Sequence, residues 1–362
     1  MIKAWNENMR QHYVPSWANC LDESMSTWWS RWTCLGWMFV PRKPHPFGIG
    51  NEYHSVANAL TTIIWGVKLV EGKDKPKEVL EPFGKLSKRL GTKTLSLMMR
   101  ILEPIFNTSK VVILDSGFCV LKALAVLRVK GVFAQALIRK RRYWPAKVPG
   151  GVIDNYMEEH DIGDTECIQG YLEDPADTDK NCTVPYYLFC MKDVDYTMKI
   201  MSTFGKLDTI SQDRKKTART VNPTETTNGI VEFQYTQPFA YHFDFRHCVD
   251  DNNHLRHIRP SFEETWITHR WVLRVFAFLL ALTEVNLFLA YRYWVWPVTG
   301  EKRLTLHQFR KKLALMFIHN DLQSPSDIYE LNVPTPSPEN RKHPPSSQSN
   351  RTYRRRRDPI SK

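Results

Sequence analysis

Asp115 closes the apolar run Val111-Val112-Ile113-Leu114 and is followed at once by Ser116-Gly117. Such a run, rich in β-branched residues, suits a strand buried on both faces. A carboxylate cannot sit unpaired deep in that strand, because burying a lone charge is costly. At the strand end it can face a cleft and hold a cation, where open α/β sheets place their ligands. It can equally cap the helix predicted over Phe118–Arg128. Two other acidic spots stand far away in sequence. Asp22-Glu23 ends a short semi-apolar run that starts at Ser16, and Asp250-Asp251 lies in the polar stretch Arg246–His257, just before a long apolar segment. Asp22, Asp115 and Asp250 thus stand at separated points, each following or bordering a strand, and the last precedes a long helix. Glu23 would face the other side of its strand from Asp22, and Asp251 would point about a quarter-turn away from Asp250 on a helix.

The elements that must position these groups can be read from the pattern. Tyr53–Leu60, Thr61–Leu69, Lys110–Asp115 and Val132–Arg139 read as strands, and Lys93–Phe106 reads as an amphipathic helix with Leu95, Met98, Met99 and Leu102 at helical spacing. Strands interleaved with helices predict a mixed α/β sheet. The tryptophans of Trp28–Val40 read as core and packing surface. Residues 1–14 are polar and read as a truncated or flexible start with no fold of their own. Gly150–Asp179 reads as an acidic loop, Val184–Met191 and Tyr196–Ser202 as a strand pair, Ser211–Asn228 as flexible and Ile230–Phe245 as strand-like. The organisation expected is a first part of the core over 15–140, an insertion over 141–229, a second part over 230–322, and a disordered basic tail over 323–362.

Trp271–Trp294 is long and apolar enough to cross a bilayer. Arg274, Glu284, Asn286 and Arg292 interrupt it, and a charge near a span's centre costs ~3 kcal/mol on insertion scales. It reads as a buried helix, with no membrane partner; a single-pass protein is the alternative. Thr305–Asn320 reads as a basic amphipathic helix.

The 362 residues carry 50 Lys+Arg against 38 Asp+Glu, a net +12. From Val333 onward eight basic residues oppose two acids, so the tail holds +6 of that. Arg139-Lys140-Arg141-Arg142, followed by Tyr143-Trp144, makes a phosphate-contact and stacking surface, or a solvated charge run. Arg354–Arg357 fits a nuclear localisation signal or a DNA-contacting tail. The seven cysteines show no C-x-x-C pair, which leaves a zinc site unsupported and reduced intracellular thiols as the default.

Taken in order, these motifs resemble the piggyBac transposase family, whose catalytic domain has the RNase H-like fold of transposases and integrases. Leu21-Asp-Glu-Ser24 leading to Pro41-Arg-Lys-Pro44 is similar to the family's first motif. Leu114-Asp-Ser-Gly-Phe118 is similar to the second, Ala136–Pro145 to its strand ending in basic residues and proline, Val249-Asp250 to the third, and Arg270-Trp271 through Asn286 to the closing apolar helix. The series covers about Trp17–Asn320. It departs from the family where Asn253 replaces a second acid, where His247-Cys248 replaces Gly-Gly, and where neither the upstream region nor a cysteine-rich zinc module is present.

The resemblance implies an α/β, RNase H-like mixed sheet flanked by helices with a β-rich insertion. It implies a DNA transposase that cuts and rejoins double-stranded DNA, transposon ends and target, as a homodimer in the nucleus. Asp22 and Asp115 would bridge two Mg²⁺ ions, or Mn²⁺ in vitro, and Asp250 would complete one site. Arg139, Lys140, Arg141 and Arg142 would contact the nucleic acid. The rival reading is a catalytically inactive, transposase-derived DNA-binding or scaffold protein.

Overall fold

The computed structural model describes residues 1–34, 36–39, 49–70, 93–139, 150–173, 183–205, 207, 210–219, 230–300 and 302–319. Met1–Arg310 form one compact unit; Lys311–Lys362 form a second, of which only the end of the last helix is described. Lys140, Arg141 and Arg142, the Pro41–Pro44 motif, Arg354–Arg357 and the tail expected to be disordered lie outside the described residues.

The strands are β1 (Ala18–Thr27), β2 (Trp37–Phe39), β3 (Ile49–Asn58), β4 (Ile64–Leu69), β5 (Val111–Leu114), β6 (Phe133–Leu137), β7 (Thr165–Glu173), β8 (Thr183–Lys192), β9 (Thr197–Ser202), β10 (Ile210–Arg219) and β11 (Ile230–Thr236). The helices are α1 (Ile2–His12), α2 (Lys93–Leu102), α3 (Leu121–Val129), α4 (Gly150–Glu158), α5 (Gln237–Phe245), α6 (Cys248–Arg256), α7 (Phe262–Thr265), α8 (Trp271–Ala290), α9 (Trp296–Thr299) and α10 (Leu306–His319). Nine strands form one mixed sheet in the order β2-β3-β1-β5-β6-β9-β8-β7, with β4 on β3. β1, β5 and β6 run parallel; β3 and β9 flank them antiparallel. The mixed sheet flanked by helices is the architecture the motifs imply.

Alternation along β1 divides its side chains between two cores. Leu21 faces α2 and α3, where Leu95, Met98, Leu102, Leu124 and Leu127 pack on Val112 and Leu114. Ala18 and Cys20 face the opposite side, toward Val249 of α6 and Phe278, Leu279 and Leu282 of α8. Asp22 therefore lies on the α6 side.

Several expectations are corrected. The first 14 residues are not without fold: α1 docks on β4, with Asn6 bonding both ways to the Val67 backbone and Trp5 donating to Thr283 at 2.9 Å. Asp22-Glu23 sits within a strand that continues to Thr27 rather than ending there. Part of Gly150–Asp179 is α4 and β7, not loop, and β7, β8 and β9 extend the main sheet rather than standing apart. The stretch read as flexible includes β10. Ile230–Phe245 switches from β11 to α5 at Gln237-Pro238, because proline is preorganised for a first helical turn. Trp28 is buried, but Trp29 and Trp32 are 63% and 90% exposed, so not all of that tryptophan cluster is core.

The long apolar segment is a helix by composition and is set within the protein. It passes the length and hydropathy test for a membrane span, yet 61% of its most apolar window is buried against other elements. Its polar residues have protein partners. Arg310 pairs with Glu284 at 2.7 Å, and Asn286 holds the backbone of Ile64 through both amide atoms. Trp271 donates to Asn51 at 2.5 Å.

Candidate active site

Parallel pairing brings Leu21 of β1 opposite Leu114 of β5, so Asp22 and Asp115 are the next residues on neighbouring strands. Asp115 is the last residue before a turn at Ser116–Phe118, and its Oδ2 accepts from Ser116 Oγ at 3.4 Å. Its side chain makes no capping bond to that turn, which removes the simplest structural explanation for it. Asp22 is half-buried and accepts from the Glu23 amide at 2.8 Å.

Asp250 is exposed in the first turn of α6, and α6 packs over β1 on the face that carries Asp22. The Asp22 carboxyl is pushed well above the usual carboxylate range, first by burial and then by the negative charges of Glu23, Asp250 and Asp115. Three separated elements thus bring the aspartates into electrostatic reach. They are not drawn into a tight cluster. Among the described residues the one acidic or histidine group whose ligand atoms lie within 4.8 Å of one another is Glu23, Glu52 and His54, on the opposite face of β1 and β3. Within it His54 Nε2 lies 3.2 Å from Glu52. Asp251, the neighbour considered as a substitute, has a carboxyl raised by burial, lowered by His247 and raised again by Asp250.

The surroundings hold residues whose places sequence pattern did not reveal. Arg246 closes α5; its carbonyl accepts from Cys20 Sγ at 3.4 Å, and its Nε donates to His247 Nε2 at 2.8 Å. His247 Nδ1 lies 3.9 Å from Asp250. Arg246 has a lowered pKa, by burial and by Arg139, with Asp115 acting in the other direction. Positive charge therefore borders the aspartates, and exposed Arg139 at the end of β6 belongs to it. Cys248, where the resemblance would place glycine, is buried with its thiol on the Ala59 carbonyl at 3.2 Å, so it packs as a small apolar group. Asn253 donates to the Glu23 carbonyl at 3.4 Å and accepts from Arg256 at 3.3 Å.

Asp22 within β1, Asp115 just past the end of the neighbouring parallel strand and Asp250 on the helix over that face form the arrangement that the resemblance to transposase catalytic cores implies. The chain shares its fold with a piggyBac transposase solved by cryo-EM as a synaptic complex with hairpin DNA, at a TM-score of 0.59 and 15% identity, over 90% of this chain. It spans 57% of that chain's length. Residues 1–288 match the family profile described as Transposase IS4, of the DDE transposase type, and the chain belongs to that family. None of the curated proteins compared matches it in sequence.

Membership in a DDE-type family implies divalent metal, and the residues fit it. Asp22, Asp115 and Asp250 offer hard oxygen ligands; the Asp22 carboxyl is raised by burial first and by Glu23 next, and a cation between the three would relieve the further repulsion from Asp250 and Asp115.

Proposed function

We propose that this chain is the catalytic core of a piggyBac-like DNA transposase that cuts and rejoins DNA by phosphodiester hydrolysis and transesterification. The observation that carries the reading is the register that sets Asp22 beside Asp115 on neighbouring parallel strands, with Asp250 on the helix that packs over the Asp22 face of β1. Asp22 and Asp115 would hold two Mg²⁺ ions, or Mn²⁺ in vitro, and Asp250 would complete one site. Such ions supply activation of the attacking oxygen and stabilisation of the leaving one. Arg139, with Lys140, Arg141 and Arg142 beyond it, would neutralise DNA phosphates and fix the strand against the carboxylates. A homodimer acting in the nucleus, with Arg354–Arg357 as the address, completes the proposal.

The test is nicking of supercoiled plasmid in Mg²⁺ or Mn²⁺ by the full chain and by Asp115→Asn. Nicking by the wild type that is abolished in the variant is the expected result. Equal cleavage by both would overturn the assignment. Asn253 favours one second reading, a non-catalytic transposase-derived DNA-binding protein, because it bonds to the Glu23 carbonyl where the family resemblance would place an acid. Salt-sensitive DNA binding without any metal-dependent nicking selects that reading.

A further inference from the structure

β5 stops at Leu114, opposite Leu21, whereas β1 runs on to Thr27. The odd-numbered carbonyls of β1 point toward β5, as the bond from the Val111 amide to the Trp17 carbonyl establishes. Beyond Leu21 these carbonyls have lost their strand neighbour. Buried carbonyls need donors. Three side chains supply them at every second residue. Asn253 donates to the Glu23 carbonyl at 3.4 Å, Arg256 to Met25 at 2.7 Å, and Arg274 to Thr27 at 2.8 Å. Asn253 and Arg256 are one helical turn apart on α6, and Arg274 is on α8. This is a ladder of side chains standing where a strand would be.

Arg256 is the centre of the ladder. It is fully buried, bridges to Asn253 Oδ1 at 3.3 Å, pairs with buried Glu263, and lies over the Phe278 ring at 4.6 Å. Glu263 in turn accepts from Ser26 of β1 at 2.8 Å. A buried guanidinium is a poor source of net stability, since desolvation offsets much of the attraction, whereas its fixed fork of donors imposes geometry. The helix it fixes is the one that carries Asp250, and the strand it fixes carries Asp22.

We propose that Arg256, with Asn253 and Arg274, is a positioning device that sets the spacing between Asp250 and the two strand aspartates, Asn253 acting in it as a donor rather than as a metal ligand. The link from that spacing to metal binding rests on the proposed function; the docking of α6 on β1 does not.

The test uses the full chain carrying Arg256→Met together with Glu263→Gln, which removes the ladder's centre without leaving a buried carboxylate unpaired. The readouts are Mn²⁺ affinity by calorimetry and amide hydrogen exchange over 248–252, with 121–129 as reference. Metal affinity should fall 10–100-fold, the range for groups that orient ligands. Exchange in 248–252 should speed up while 121–129 stays protected. A folded variant with wild-type metal affinity and unchanged exchange would overturn the inference. If the wild type binds no Mn²⁺, it is the metal-site reading that fails, and the ladder is judged by exchange alone: faster exchange upholds it and unchanged exchange refutes it. Should the double variant not fold, Asn253→Ala, which removes the outermost rung, is judged on the same two readouts.

Discussion

The two faces of the central strands are held by different physics. On the α2–α3 face, contact is made by Leu95, Met98, Met99, Leu102, Leu124 and Leu127 packed on aliphatic strand residues. On the α6–α8 face a smaller apolar cluster is joined by buried polar groups with named partners: Arg256, Asn252 on the Thr62 carbonyl at 2.9 Å, and Asn286 on Ile64. Apolar packing is non-directional and tolerates small shifts. Hydrogen bonds to backbone atoms fix register, and they fail expensively when one partner is lost. The directional face is the one that carries Asp22 and Asp250.

Substitutions on the two faces should separate these roles. Leu124→Ala should cost about 2–5 kcal/mol in unfolding free energy, read by urea denaturation, and leave the metal affinity of the folded protein unchanged. Asn286→Ala should cost a similar amount at most. It strands the Ile64 amide and carbonyl, each worth about 1–3 kcal/mol when buried without a partner, less whatever rearrangement recovers. Its mark should be faster exchange at the start of β4 rather than global loss. If both substitutions act identically on exchange and metal binding, the contrast between the faces is wrong.

A pH-dependent effect comes from His242 on α5, fully buried, with neither ring nitrogen hydrogen-bonded among the described residues. Burial, then the charges of Arg246, His247 and Arg139, pushes its pKa down from 6.5 to about 3. The unfolded chain therefore binds a proton that the folded one refuses between those values. Stability from this group is present above pH 6.5 and declines as pH falls toward 3, by at most about 1.4 kcal/mol per unit. Urea midpoints measured from pH 7 to pH 4 should decline less steeply in His242→Leu than in the wild type.

What was legible in sequence follows from the same distinction. β5 and α8 announced themselves because apolar runs of strand and helix length have few alternatives, and Asp115 stood out because a charge closed one of them. The series of motifs then pointed to Asp22 and Asp250. α1 did not announce itself: its polar composition hides a helix held by Trp5 and Asn6 through long-range bonds. α5 was obscured by Phe239, Tyr241 and Phe243, whose alternation mimics a strand until Pro238 is weighed. Arg256 could not be found by pattern at all. An arginine in a polar stretch reads as solvated, and only the early end of β5 creates the bare carbonyls that draw it inside.

The central claim is that Asp22, Asp115 and Asp250 form one metal site, and the most direct measurement is calorimetric titration of Mn²⁺ into the wild type and into each single Asp→Asn variant. Binding by the wild type that weakens sharply in all three variants, with Glu52→Gln on the opposite face leaving it intact, is the predicted result. Binding that survives all three substitutions and disappears in Glu52→Gln would contradict the account, and would place the metal on Glu23, Glu52 and His54 instead.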